Sequence, residues 1–391
     1  MPTAASRVAA PRIVSGCMDP QLVERAVDLI DGLRQSTILP YVMESSASNI
    51  TQNSQTRLPV DDYKVIEGAP FLMTGMRFFA TAAVAASASG GPFSNVSISL
   101  MDNDRMQHLT KNPTLLASMV RYDSNTLELD RPLVMSSDGS FGVTLTEENV
   151  NGTTDVFVSM LGEVIAGGKM SSDDLREAVA LGVYPAFRGR QNFWDKIVLA
   201  SVLRSEEVRC HTQEGEEKRW ALRARVAELR QKLCKSRFLT YIFESNTTNI
   251  PQGTTINMLS SVLRNDSGFP VAITRIGCFT GSGYAASASG ALFNNISVSA
   301  TFVGRTNFAL TSSVVLAPCL FDRKDNNWLL DRPLVVGPDE GMEFRVSEKN
   351  VNSTTDVNVA VQGYVVHGLS TGELQECISL GLVNSIRRTR Y

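Results

Sequence analysis

Histidine is scarce. Only His108, His211 and His367 occur in the 391 residues, and none stands in an HExxH. That spacing is what places two imidazoles on one helix face for zinc, so a zincin-type hydrolase is excluded. The chain also lacks a GxSxG elbow, a phosphate-binding GxxxxGK[ST] loop and a GxGxxG turn, which removes the commonest nucleophile and nucleotide sites. Six cysteines are present, Cys17, Cys210, Cys234, Cys278, Cys319 and Cys377, with no CxxC among them. A zinc ribbon or dithiol redox motif is therefore not expected, and buried thiols in a reducing compartment are. No run reaches the roughly 18 apolar residues of a membrane span, because Asp and Glu interrupt each long one. The opening MPTAASRVAAPRIVSG has no continuous apolar core, so no secretory signal and no membrane partner are expected. Charge of one sign is lacking too. The net charge is −3 and the pI about 5.8, which gives no overall pull toward nucleic acid.

What the chain does have is itself, twice. LPYVMESSASNI (39–50) stands beside LTYIFESNTTNI (239–250), and AASASG recurs at 85–90 and 285–290. LDRPLV recurs at 129–134 and 330–335, NVNGTTDV (149–156) becomes NVNSTTDV (350–357), and DLREAVALG (174–182) becomes ELQECISLG (373–381). Self-similarity held in register over this length indicates a tandem unit of roughly 190 residues.

Each unit reads alike. An amphipathic helix comes first, DPQLVERAVDLIDGLRQ and then EEKRWALRARVAELRQKL. In the former, Leu22, Ala26, Leu29 and Leu33 share a face, and Asp19 before Pro20 is an N-cap followed by a first-turn proline. About 130 residues of strand signal follow. Val357, Val359 and Val361 alternate with Asn358, Ala360 and Gln362, and Val156, Val158 and Met160 take the same places in the first unit. Val96 and Ile98 match Ile296 and Val298; Val143 and Leu145 match Phe344 and Val346. Such period-two runs, separated by SSDGS, NVNGTT and GPDEG, give about eight short strands per unit. A short Ser-capped helix closes each, with Gly182 and Gly381 at its end. The fold class is thus mainly β: two tandem antiparallel jelly-roll-like sandwiches, each flanked by helices. The divisions are an N-terminal segment and helix over 1–35, a sandwich with its helix over 36–187, a helical connector over 188–235, and a second sandwich with its helix over 236–391. The strands themselves span about 36–168 and 236–369. Within the connector Trp194, Ile197, Val198 and Leu203 suggest a helix, and QEGEE near Gly215 is the expected flexible point. The small-residue phrase AASASG reads as a close-packed connection between strands.

Chemistry is hard to place on this frame. The carboxylates repeated in both units are Glu44 with Glu244, Asp130 with Asp331, Glu148 with Glu348 or its neighbourhood, and Asp155 with Asp356. A paired-carboxylate hydrolase needs two of them together. However, Asp130 and Asp331 each precede Arg-Pro, which fits a local ion pair or turn, and Asp155 and Asp356 follow Thr-Thr as turn caps do. MDNDR (101–105) has the look of a cation loop, but the second unit reads TFVGR there. Seven Asn-X-Ser/Thr triplets, at Asn49, Asn95, Asn151, Asn246, Asn265, Asn295 and Asn352, read as turn and strand-end residues. The basic stretch Arg219–Arg237 is interleaved with Leu222, Val226, Leu229 and Leu233 and reads as a packing helix. No catalytic residue, cofactor or metal ligand is assigned, and an enzyme is not expected.

In architecture, size and its repeated LDRPLV and NVNxTTDV blocks, the chain resembles the tandem jelly-roll proteins of virus particles, which include capsid, capsid-decoration and collar proteins. That resemblance implies a structural role in a virion, with copies of itself or other capsid proteins as partners and no direct nucleic-acid contact. Since jelly rolls also bind glycans on exposed loops, a carbohydrate- or receptor-binding module is the alternative. The last strands of the two units differ. Phe157, Ser159 and Leu161 stand where the second unit has Asn358, Ala360 and Gln362. If Val156, Val158 and Met160 face the core, Phe157 and Leu161 face outward. They are the interaction candidates, with Trp194. The first sandwich is expected to be covered on that face by residues 187–210 or by a neighbour, and the second to face solvent.

Overall fold

The computed structural model describes residues 19–50, 54–65, 69–80, 96–110, 113–119, 126–147, 154–184, 202, 209–251, 253–257, 263–280, 296–304, 307–321, 327–348 and 355–383. Both AASASG phrases lie outside them, as do Trp194, Ile197, Val198 and Leu203.

The first sandwich is built from β1 (Thr37–Ile50), β2 (Gln55–Arg57), β3 (Phe71–Ala80), β4 (Val96–Asp102), β5 (Gln107–His108), β6 (Thr114–Leu115), β7 (Thr126–Met135), β8 (Phe141–Glu147) and β9 (Thr154–Ala166). One sheet runs β1-β9-β3-β7 and the other β2-β8-β4-β5, with β6 also on β4. The second contains β10 (Arg237–Ile250), β11 (Thr255–Asn257), β12 (Leu263–Arg264), β13 (Val271–Thr280), β14 (Ile296–Val303), β15 (Phe308–Ala309), β16 (Val315–Leu316), β17 (Asn327–Val336), β18 (Gly341–Glu348) and β19 (Thr355–His367). Its sheets run β10-β19-β13-β17 and β11-β18-β14-β15, with β12 on β18 and β16 on β14. Every ladder is antiparallel. A four-stranded layer facing a five- or six-stranded one in this interleaved order is the strand arrangement of a jelly roll.

Even the irregularities recur. β1 slips register against β9 between Ala47 and Ile50, and β10 against β19 between Thr247 and Ile250. β3 bulges between Met73 and Gly75, β13 between Ile273 and Arg275. The alternating residues do what period two requires: Val156, Val158, Met160, Val357, Val359 and Val361 are all buried, as are Val143, Leu145, Phe344 and Val346.

Helices α1 (Pro20–Gln35), α2 (Leu116–Met119), α3 (Ser172–Leu181), α4 (Gln213–Lys235), α5 (Ala317–Leu320) and α6 (Thr371–Ser379), with a 3-10 turn over Val60–Tyr63, complete the described elements. Asp19 caps α1 by accepting the Gln21 amide at 2.9 Å, and Gly182 ends α3 with φ 71°. α1, α3, α4 and α6 form one apolar layer with Leu72, Val134 and Ile165 of the first sandwich and Ala272, Val335 and Val366 of the second. The basic residues of α4 meet acids there: Arg225 bonds Glu376 at 2.9 Å and Lys232 bonds Glu373 at 2.5 Å. The latter contact holds the Glu373 carboxyl down at about 2.

Gly215 is not a flexible point. It lies buried in the first turn of α4, where Thr212 caps its amide at 3.0 Å. Glu24 of α1 accepts the Thr212 amide and fills the space a Cβ on the glycine would need. The acids of QEGEE suggested a solvated break; they are instead the acidic first turn that complements a helix dipole.

Cys278, Cys319 and Cys377 are buried and Cys234 is exposed. Burial pushes the Cys278 and Cys377 thiols up to about 12. Since the thiolate is the nucleophile, iodoacetamide at neutral pH should alkylate Cys234 in the native protein and these three only after unfolding. Native alkylation of Cys278 at the rate of Cys234 would contradict the placement.

Candidate functional site at the sandwich junction

Two of the repeated carboxylates, Glu44 and Asp331, bond across the contact between the two sandwiches. β1 is the outer strand of its sheet, and its backbone edge is closed by the second sandwich rather than by water. The Val42 amide donates to the Leu310 carbonyl at 3.0 Å, and the Ser312 amide donates to the Val42 carbonyl at 2.9 Å. This parallel bridge seals an edge that would otherwise recruit another strand. Two residues on, Glu44 accepts the Leu316 amide with one carboxylate oxygen at 2.9 Å and the Ser159 hydroxyl with the other at 2.9 Å. Tyr41 meets Phe308 edge-on, ring centres 6.3 Å apart.

Further along, the Thr74 hydroxyl donates to Asp331 at 2.8 Å. Asp331, one of the repeated carboxylates, thus bonds across the junction to the residue at the β3 bulge. Arg77 reaches the Cys319 carbonyl of α5. Apolar packing runs through the same contact without a break, so the buried residues of both sandwiches form one cluster.

At the far end lies a buried ion pair. Glu163 of β9 and Arg332 of β17 approach at 3.2 Å, and neither side chain is more than 3% exposed. The Tyr184 hydroxyl donates to the same Glu163 oxygen, and the Arg332 guanidinium lies over the Tyr184 ring, 4.4 Å from its centre. Arg332 also donates to the Ser379 carbonyl at the end of α6. Burial raises the Glu163 carboxyl above its ordinary value, although Arg332 pulls it the other way. The cluster thus ties β9, β17, α6 and the loop after α3 at one point.

The remaining candidates have local duties. Glu147, not Glu148, is the register partner of Glu348: Val96 faces Glu147 as Ile296 faces Glu348. Glu348 accepts the Gly253 amide at 3.2 Å. In the MDNDR loop, Asp104 binds the Ser136 hydroxyl and the Ser140 amide, clasping the turn before β8. Asn265 is buried and donates to the Phe269, Val336 and Gly337 carbonyls. His367 ends β19 with its ring 4.0 Å from that of Phe269. Among the described residues no three His, Cys, Asp or Glu side chains gather as a metal site, and no helix is long and apolar enough to cross a membrane.

Leu161 is buried, and Phe157 is half-buried with its ring 5.9 Å from Phe79. Asn358 and Gln362 are half-buried. Among the described residues the cover over β9 is α5 of the second sandwich. Trp194 lies outside the described residues. Glu163 and Arg332 were missed as a pair. Arg332 was visible in the repeated LDRPLV, but Glu163 is private to the first unit, where the second has Tyr364. An unrepeated acid in an otherwise apolar strand is the signal that could have found it.

No protein-family description matches this chain, and no curated protein does. Solved structures match only at a distance. The infectious bursal disease virus Gx strain structure aligns over 86% of this chain and 73% of its own, with 9% identity and a TM-score of 0.20. The VP2 subviral particle of the same virus aligns over 86% and 78%, with 9% identity and a TM-score of 0.17. A pilus protein of Bacillus endospore appendages aligns over 34% of this chain and 92% of its own, with 11% identity and a TM-score of 0.17. Viral capsid proteins are thus among the distant structural neighbours.

Proposed function

We propose that this chain is a non-enzymatic structural protein of a virus particle, a capsid shell or shell-associated component that contacts copies of itself or other capsid proteins. One observation carries the reading: two jelly rolls of the same strand order are joined edge to face by an extensive bonded junction. A unit that already packs against its own likeness is suited to repeated, quasi-symmetric contact. The polar groups that sequence alone offered for chemistry support the reading as well, since Glu44, Asp331 and Glu348 are engaged in holding strands and sandwiches.

Electron microscopy and sedimentation of the purified protein, alone and with its fellow virion components, test this. Closed particles, or incorporation into them, are the expected result. A monodisperse monomer that binds a defined sugar would overturn it in favour of the glycan-binding module.

A further inference from the structure

The junction uses two different surfaces, and each has an equivalent that is exposed among the described residues. The first sandwich contributes the outer edge of β1; the second contributes the stretch from Leu310 to α5. In the second sandwich the counterpart of β1 is β10, with Ile242 at the Val42 position and Glu244 at the Glu44 position: Val42 faces Leu161 as Ile242 faces Gln362. In the first sandwich the counterpart of the receiving stretch is, among the described residues, Leu109, Thr110 and residues 113–119. Leu109 donates to the Leu100 carbonyl as Leu310 donates to that of Ala300, and Leu115 faces Ser97 as Leu316 faces Ser297.

Burial separates the used surfaces from the exposed ones. Val42 is 1% exposed and Ile242 58%; Leu39 is 7% and Leu239 54%. Leu316 is 4% exposed and Leu115 38%. Apolar side chains on an uncovered strand edge are a liability that soluble proteins avoid unless something docks there. Here the chain itself displays what docks on such an edge.

From this we infer that β10 of one molecule docks against Leu109 and Leu115 of a second copy, repeating between chains the contact made within each. Ile242 takes the place of Val42 beside the Leu109 carbonyl, and Glu244 accepts the Leu115 amide as Glu44 accepts that of Leu316. The contact is heterologous, so it propagates: it closes a ring or runs on as a strand of sandwiches. The inference deepens the structural role proposed above and rests on it only for its setting.

Two single variants test it, Ile242→Lys on the β10 side and Leu115→Glu on the other. Each alone should weaken self-association at least about tenfold in sedimentation, the effect of losing one central apolar anchor. Both positions are exposed, so circular dichroism and urea midpoints should match those of the parent. Mixed together, the two variants retain one intact pair of surfaces and should form a capped dimer and nothing longer. Association or particle formation unchanged in both variants overturns the inference and leaves the virion role standing. End-to-end oligomers that never enter a particle uphold the inference and overturn the virion role. A parent chain that stays monomeric at all concentrations, with or without its fellow components, overturns both.

Discussion

Arg332→Ala should cost about 3–5 kcal/mol of stability, since it leaves the Glu163 carboxylate buried without its counter-charge. The guanidinium is 1% exposed and donates to Glu163 and to the Ser379 carbonyl, so no water takes its place at once. The double change Glu163→Gln with Arg332→Met should recover most of the loss. It removes both charges together, keeps similar volume, and preserves an amide oxygen for the Tyr184 hydroxyl. The penalty of the single variant should also depend on pH. Burial holds the Glu163 carboxyl above its ordinary 4.5 in the folded protein. The folded state therefore binds that proton more tightly than the unfolded chain. The stability gained is fully present below the unfolded value and is lost as pH rises through the folded one. Arg332 is the group that pulls the carboxyl down, so its removal raises the folded value further. Urea unfolding should accordingly show an Arg332→Ala penalty that grows as pH rises from below 4.5 to about 8. A loss below about 1 kcal/mol, or one that is flat with pH, would show that Glu163 and Arg332 do not act as a desolvated pair.

The sandwiches were legible because period two is enforced twice. Val156 with Val357 and Leu145 with Val346 each alternate with polar or small neighbours, and one face of every such strand is core. Caps were legible for a similar reason: Asp19 before Pro20, and Ser171 and Ser370 with an acid three residues on, act within a single helical turn. The junction was not legible. It depends on which outer edge meets which loop, and no local pattern records that. Glu44 and Asp331 carried a true signal in their repetition, but its meaning lay in the partner's position. In the second unit Glu244 keeps the residue and is exposed. Repetition therefore marked the strand edge itself, and only the fold shows that one copy of the edge is used and the other is exposed. The inequality read from Phe157 and Leu161 against Asn358 and Gln362 had its physical basis one strand over. Leu161 stands opposite Val42, beneath the second sandwich, whereas Gln362 stands opposite the exposed Ile242.

The largest backbone effect is expected at two glycines that the repeat places at one point of the fold. A Cβ on Gly162 would sit 2.0 Å from the Leu72 carbonyl oxygen and 2.6 Å from the Phe71 ring; one on Gly363 would sit 2.1 Å from the Ala272 carbonyl oxygen. Neither glycine has a positive φ, so what each supplies is space. They face the bulges of β3 and β13, where the neighbouring backbone is pushed toward the last strand. A methyl group there must displace main chain in the middle of a sheet, and packing density leaves nowhere for it to go. Gly162→Ala and Gly363→Ala should each lose about 1–3 kcal/mol or more. Gly372→Ala, in α6 with open space around it, should lose nothing and serves as the control. The two damaging variants should also differ. Gly162 lies between Leu161 and Glu163, so moving it shifts the buried ion pair and the face beneath α5. Gly363 lies between Gln362 and Tyr364, both half-exposed. Urea midpoints should therefore fall further for Gly162→Ala. Equal losses would mean that the junction contributes little beyond the sandwich that carries it, and a smaller loss at Gly162 would contradict the dry contact between the two.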